Sequence, residues 1–221
     1  MTGGGERGDV LLVRHGETAW SATGRHTGLT DVPLGPRGVE EAVSLAPYFR
    51  ELTPALVLTS PLSRARSTAR LAGLPAGETD PDLHEWDYGG YEGITTAEIH
   101  RTRPDWTLWR DGVPAGDRDH PGEDAGQVGA RADRVLARVA AVLAERPGDA
   151  VLVAHGHFLR VLTARYLRLP PADGRLFLLQ TGTVSRLSTE HGEPVIAGWN
   201  TRPLPAHPGP SGLSAPPEDP A

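Results

Sequence analysis

The residues best placed to do chemistry in this chain are Arg14 and His15, which follow directly on the apolar run Val10-Leu11-Leu12-Val13 and precede Gly16. An imidazole beside a guanidinium puts a nucleophile or proton carrier next to a planar, permanent cation. Two later stretches repeat the arrangement. Ala55-Leu56-Val57-Leu58 leads through Thr59-Ser60-Pro61-Leu62-Ser63 to Arg64, and Ala150-Val151-Leu152-Val153-Ala154 leads to His155-Gly156-His157. Short apolar runs of this kind predict buried strands. In open α/β sheets, ligands bind in the crevice outside the carboxyl ends of the strands. Parallel, neighbouring strands would therefore bring Arg14, His15, Arg64 and His155 to one pocket. Two guanidiniums and two imidazoles, with no cysteine nearby, describe an anion site, most simply one for phosphate.

The elements that must hold these residues alternate between strand and helix. Helical spacing begins near Pro36, with Val39, Ala42, Val43, Ala46 and Phe49 on one face, and Pro47 should kink that helix. Ser60 and Pro61 read as the N-cap and first position of the next helix, which directs free N–H groups at the same crevice. Arg66 and Arg70 on that helix are expected to be solvated. The longest helix is predicted from about Glu123 to Glu145, stopped by Pro147-Gly148, with Arg131, Arg134 and Arg138 forming a solvated basic edge. Phe158 to Leu169 reads as a crossover helix, and Arg175–Leu179, Thr183–Ser188 and Pro194–Trp199 as closing strands. The polar, glycine-punctuated stretch from Glu17 to Pro36 is long enough to be a functional loop.

The 221 residues suit one large domain. A net charge of -6 and a pI near 5.8 argue against a general nucleic-acid or membrane-surface binder. The absence of cysteine excludes disulfides, thiolate metal sites and a cysteine nucleophile. Of the nine histidines only His155 and His157 lie close in sequence, without clustered carboxylates, so neither metal nor cofactor is expected. Residues 1–8 are glycine-rich and lack the apolar core of a signal peptide, and no run approaches a membrane span, so a cytoplasmic protein is expected. Residues 203–221, rich in Pro, Gly, Ser and Ala, read as a disordered tail.

Five blocks in order, Arg14-His15-Gly16-Glu17-Thr18, Gly24 to Asp31, Ser60-Pro61-Leu62-Ser63-Arg64-Ala65, Glu85 to Gly93 and His155-Gly156-His157, resemble the histidine phosphatase superfamily. The similarity is to the branch of cofactor-dependent phosphoglycerate mutases and related acid phosphatases, and runs from Asp9 to about Trp199. It implies an α/β fold, a three-layer α/β/α sandwich with a mostly parallel central sheet, in one domain over 9–202. An insertion at about 86–124 would cap the site. It further implies that His15 carries a phosphohistidine and that Arg14 and Arg64 clamp the phosphoryl oxygens. His155, protonated or donating, would stabilise the transition state. Glu85, its pKa raised between aromatic neighbours, would serve as general acid and then base. Glu17, Ser21, Thr27, Gly28, Tyr88, Gly156 and His157 would contact substrate.

This chain departs from the mutase pattern at three places. Ile94-Thr95-Thr96-Ala97 replaces an Asn-Lys pair, residues 101–120 lack adjacent arginines, and Ser21 stands where mutases carry Asn. The departures favour hydrolysis of small phosphate monoesters, in the manner of bacterial acid phosphatases of broad range. The alternatives are a phosphoglycerate mutase, a sugar-bisphosphate phosphatase, or a phosphate-binding module without turnover. A homodimer is compatible with the resemblance.

Overall fold

The structure is a computed structural model and describes residues 8–202. The expected flexible N-terminus, apart from Gly8, and the Pro-rich tail lie outside the described residues. Six strands form one sheet: β1 (Val10–Arg14), β2 (Leu56–Thr59), β3 (Glu78–Thr79), β4 (Ala150–Ala154), β5 (Val184–Glu190) and β6 (Glu193–Thr201). Their order is β3-β2-β4-β1-β5-β6. The first four run parallel, and β5 is antiparallel to both β1 and β6. The helices are α1 (Ala19–Ala22), α2 (Pro36–Ser44), α3 (Ala46–Phe49), α4 (Ser63–Leu71), α5 (Thr96–His100), α6 (Leu108–Asp111), α7 (Ala125–Glu145) and α8 (Gly156–Tyr166).

The period-two alternation of the central strands accounts for the layering. Leu12, Leu58 and Leu152 point to one face, where they pack with Val128 and Val135 of α7 and Phe158, Leu159 and Leu162 of α8. Leu11, Val13, Val57, Val151 and Val153 point to the other, against Leu45, Phe49, Ala65 and Ala69 from α2 to α4. Strands buried on both faces must be apolar throughout, which is why these runs were so visible in the sequence.

Several expectations need correcting. The helical segment at 36–49 breaks at Leu45 into α2 and α3, with Pro47 in the first turn of the second. Its buried face is Ala42, Leu45 and Phe49, while Val39 and Val43 are 40% and 50% exposed. Helix α4 starts at Ser63, two residues beyond the predicted first position, because Ser60 is drawn into the core and Asp31 instead accepts from the Ser63 N–H at 2.8 Å. Arg175–Leu179 is not a strand, since a 3₁₀ turn occupies Pro171–Leu176. The two-residue strand β3 was not foreseen. Its residues are exposed and carry no apolar pattern.

The basic edge of α7 is solvated only in part, since Arg134 is exposed and Arg138 half-buried, as expected, and Arg131 is not. Arg131 is buried and pairs with Glu123 at 2.7 Å. Its guanidinium also donates to the carbonyls of Asp82, His84 and Glu85. Arg134 pairs with Asp82 at 2.6 Å, and Arg138 with Asp80 at 2.8 Å and with Glu78. Helix α7 thus straps down the segment that carries Glu85. By contrast, Arg66 and Arg70 are exposed as expected.

The excursion between Trp86 and Asp124 is closed at its neck by one carboxylate. Asp87 accepts from the N–H groups of Gly89 and Gly122, at 3.0 and 2.8 Å. The Glu123 N–H returns to the Asp87 carbonyl. Within the excursion Trp106 and Leu108 are buried in the core shared with α7 and α8, so it is packed rather than loose.

Candidate active site

Adjacency of β2, β4 and β1 brings the predicted residues together at their carboxyl ends. The His15 and His155 rings lie 5.0 Å apart between centroids. An open cavity of about 210 Å³ lies there, lined by Arg14, His15, Ser21, Thr27, Glu85 and Tyr88 among others. Gly156 and His157 of α8 complete one wall. A pocket of this size fits a small ester.

His15 is buried, and its Nδ1–H donates to the carbonyl of Gly16 at 2.7 Å. A carbonyl can only accept, so the ring proton sits on Nδ1 and the lone pair is on Nε2. Burial, then the charges of Arg64 and Arg14, holds the His15 pKa well below the usual histidine value. The imidazole is therefore neutral. This is the state a nitrogen nucleophile needs.

Arg14 keeps most of its donors free. One Nη1–H bonds the Leu179 carbonyl, and the buried Nε has no partner among the described residues. A buried guanidinium nitrogen without an acceptor is costly unless a ligand supplies one. Gly156 allows the approach: a Cβ there would lie 3.1 Å from the Arg14 Cζ.

Arg64 differs. It is fully buried and does not line the cavity. Its Nε–H donates to His155 Nδ1 at 3.1 Å, Nη1 to the Thr30 carbonyl at 2.9 Å, and Nη2 to the carbonyls of Thr27 and Gly28. One of its five N–H groups remains. The same bonds decide the His155 tautomer. Since Arg64 only donates, Nδ1 accepts and Nε2–H donates to Ser60 Oγ at 2.7 Å. Burial, then Arg64 and His15, keeps the His155 pKa well below the usual value, which favours the neutral, donating form over the protonated one of the two that the resemblance implies. Its one ring proton is committed to Ser60. Sequence reasoning gave Ser60 a capping role and missed this contact, because an apolar strand end says nothing of what a buried hydroxyl faces.

Glu85 is buried at the N-terminus of α8. Its Oε1 accepts from the N–H groups of Trp86 and Phe158, at 2.9 and 2.8 Å, and its Oε2 from His157 at 3.0 Å. A carboxylate there satisfies orphan helix N–H groups and complements the helix dipole. The surroundings are thus backbone donors rather than an aromatic sandwich. Tyr88 and His157 share a hydrogen bond of 2.6 Å. Burial, then the Glu85 charge, raises the Tyr88 pKa well above its usual value, and burial, then Arg160, lowers that of His157. Both groups are neutral.

Two expected contacts lie elsewhere. The Glu17 side chain faces Arg37 at 3.5 Å and does not line the cavity. The Gly28 N–H is taken by Glu92 and its carbonyl by Arg64. A Cβ there would meet the Trp86 carbonyl at 2.7 Å, so packing beneath the site accounts for this glycine. Arg25 and His26, which the sequence left equally open to pocket contact or surface connection, line the cavity, and Thr96 and Arg160 do so unforeseen. Arg160 was legible in principle, since it lies three residues after His157 on the predicted crossover helix. Among the described residues, no group of three His, Cys, Asp or Glu is arranged to hold a metal ion, and no helix is long and apolar enough to cross a membrane.

Known proteins share this architecture. The chain is 42% identical over 185 residues to an acid phosphatase of Mycobacterium tuberculosis, covering 83% of this chain and 87% of that one. It is 36% identical over 189 residues to the sedoheptulose 1,7-bisphosphatase of Saccharomyces cerevisiae, covering 72% and 67%. The solved structure of an open reading frame from Mycobacterium tuberculosis superposes with a TM-score of 0.82 at 39% identity, covering 89% of this chain and 99% of that one. Residues 10–202 match the model of the histidine phosphatase superfamily (branch 1), and the chain belongs to that family.

Proposed function

We propose that the chain is a phosphomonoesterase, an acid phosphatase in the broad sense, that hydrolyses small phosphate monoesters through a phosphohistidine on His15. The observation that carries the reading is a pairing in the cavity: a neutral imidazole with its Nε2 lone pair free, beside a guanidinium whose buried Nε lacks an acceptor among the described residues. In the first step Nε2 attacks phosphorus and the ester P–O bond breaks. Arg14 holds the equatorial oxygens, and Glu85, in its acid form, gives its proton to the leaving oxygen. In the second step Glu85 takes a proton from water, the water oxygen attacks phosphorus, and the P–N bond breaks to release phosphate. Arg64 acts through others, orienting His155 and holding the 27–30 loop. No step is assigned to a metal, because the positive charge is supplied by guanidinium groups. A cytoplasmic location and a homodimer belong to the same reading, on composition and family resemblance respectively.

The test is phosphate release from nitrophenyl and alkyl phosphates after exhaustive dialysis against EDTA. The expected result is undiminished turnover, inhibited by vanadate as a mimic of the five-coordinate transition state. With 3-phosphoglycerate, free phosphate should form faster than the 2-isomer. A rate lost on dialysis and restored by zinc or magnesium would overturn the metal-free chemistry. Binding of phosphate without any turnover would leave a phosphate-binding module.

A further inference from the structure

Glu41 of α2 has no part in the steps above, yet its side chain is only 11% exposed and meets the loop of the nucleophile. Its Oε2 accepts from the Glu17 N–H at 2.9 Å. That N–H is one end of the Gly16–Glu17 peptide group. The other end is the Gly16 carbonyl, which accepts from His15 Nδ1–H at 2.7 Å. Imidazole, peptide group and carboxylate thus stand in one hydrogen-bonded row that begins at the nucleophile and ends on α2.

Close packing holds the row in place. A Cβ on Gly38 of α2 would lie 2.0 Å from the Glu17 carbonyl oxygen, and one on Gly16 would lie 2.2 Å from that of Gly38, so only glycines let helix and loop meet. The neighbouring backbone donors are fixed as well, the His15 N–H on the Ala154 carbonyl and the Gly16 N–H on Thr68 Oγ1. The other oxygen of Glu41 is buried without a hydrogen-bond partner among the described residues, and faces Arg37 at 3.6 Å and Arg202 at 3.7 Å. Oε2 is therefore the oxygen committed to the loop. A peptide N–H given to a charged acceptor is polarised, and its carbonyl becomes a better acceptor in turn, because hydrogen bonds in a chain strengthen one another.

From this geometry we propose that Glu41 is a positioning residue for phosphoryl transfer, acting through the Gly16–Glu17 peptide to lock the Nδ1–H tautomer of His15 and to raise the nucleophilicity of Nε2. It rests on the monoesterase reading above, and adds to it how the nucleophile is held and activated. No proton moves along the row. As Nε2 bonds to phosphorus the ring gains positive charge while its proton stays on Nδ1. The Gly16 carbonyl, with the carboxylate behind it, stabilises that charge. The gain is larger in the transition state than in the bound ester, which puts it in the rate constant rather than in substrate affinity.

The test uses the full chain with Glu41→Gln, whose amide oxygen can still accept from the Glu17 N–H but carries no charge, and Glu41→Leu, which accepts nothing. The first readout is the proton resonance of His15 Nδ1–H in protein labelled with ¹⁵N-histidine, assigned by its absence in His15→Ala. It should move upfield in Glu41→Gln, as a weakened hydrogen bond requires. His26 and His84 serve as references, since their Nδ1–H groups bond the Ile94 and Glu85 carbonyls and should not move. The second readout is the nitrophenolate burst in stopped flow, followed against nitrophenyl phosphate concentration. The rate constant for phosphoryl transfer should fall about threefold to tenfold in Glu41→Gln and further in Glu41→Leu, the scale of losing charge assistance from one hydrogen bond, with Kd unchanged. An unmoved His15 resonance overturns the proposal, and so does a shifted resonance with an unchanged rate constant. Either leaves Glu41 as a brace between α2 and the loop. A changed Kd with the rate constant held also overturns it, because a charge acting through space on bound phosphate would do that. If the wild type releases no phosphate from nitrophenyl or alkyl esters, the monoesterase reading itself has failed and the proposal falls with it, whichever way the resonance moves.

Discussion

Arg14 at the end of strand β1 and Arg64 in the first turn of helix α4 both sit near His15 and His155, and the two are built for different work. Arg14 stands in the cavity with a buried Nε that nothing in the described residues satisfies. Arg64 lies behind it with four of its five N–H groups spent on His155 and on the carbonyls of Thr27, Gly28 and Thr30. The same residue type, at a strand end and in a helix's first turn, thus gives one group poised for a ligand and one that holds the fold of the site. What separates them is the loop at 27–30, which fills the acceptor positions around Arg64. Around Arg14 the Leu179 carbonyl alone does so among the described residues.

The sharpest way to break this contrast is to remove each guanidinium in turn. Arg14→Gln should lower kcat/KM for nitrophenyl phosphate by about 10²–10³-fold, the usual scale for losing a transition-state donor. Its melting temperature should hold or rise, because an unsatisfied buried cation has gone. Added phosphate should then no longer raise that temperature as it does in the wild type. Arg64→Gln should instead lose about 3 kcal/mol of stability, since it strands buried acceptors on three carbonyls and His155. Melting curves with and without phosphate, beside kcat/KM, check both. Equal melting behaviour of the two variants would remove the distinction.

The buried imidazoles sharpen it through pH. His15, His26, His84, His155 and His157 all have pKa values lowered, with burial the largest cause in each. The unfolded chain takes up these protons near pH ~6.5 while the folded chain does not, so the unfolded state binds more protons below that point. Stability is therefore full above about pH 6.5 and declines as pH falls towards the lowered folded values. A melting series from pH 8 to 5 should show this fall, with bound phosphate opposing it. Activity that needs neutral His15 should persist through the same range. A melting temperature flat to pH 5 would contradict the neutral, buried state of these rings.

The smallest expected effect is at Glu17. Its side chain faces Arg37 outside the cavity, so Glu17→Gln should change kcat/KM by no more than about twofold, as for other exposed pairs. A larger loss would return Glu17 to the list of substrate contacts.

The sequence made the centre of the fold legible because strands buried on both faces must be continuously apolar, and β1, β2 and β4 are. It also made the residues near their ends legible, since β1 and β4 run directly into Arg14-His15 and His155, and β2 leads through a short turn to Arg64. Roles that depend on a partner from a distant segment were not legible. Arg131 read as solvated because the carbonyls it straps belong to another stretch and Glu123, eight residues away, is no neighbour on a helix surface. The division of labour between Arg14 and Arg64 depends on where the 27–30 carbonyls fall, and Ser60 on facing His155 across two strands. Arg175 to Leu179 has strand composition, yet the Phe177 ring packs on Trp199 and the segment follows a 3₁₀ turn. Tertiary contact decided that stretch, overriding propensity.

The central claim is that His15 Nε2 forms the bond to phosphorus. Rapid quench of the wild type with ³²P-labelled nitrophenyl phosphate, followed by acid and base treatment of the denatured protein, tests it directly. The expected result is a phosphoprotein that is labile in acid and stable in base, appearing within the first turnover and absent in His15→Ala. A label that survives acid and is lost in base, or one that persists in His15→Ala, would place the covalent bond on another residue and contradict the mechanism.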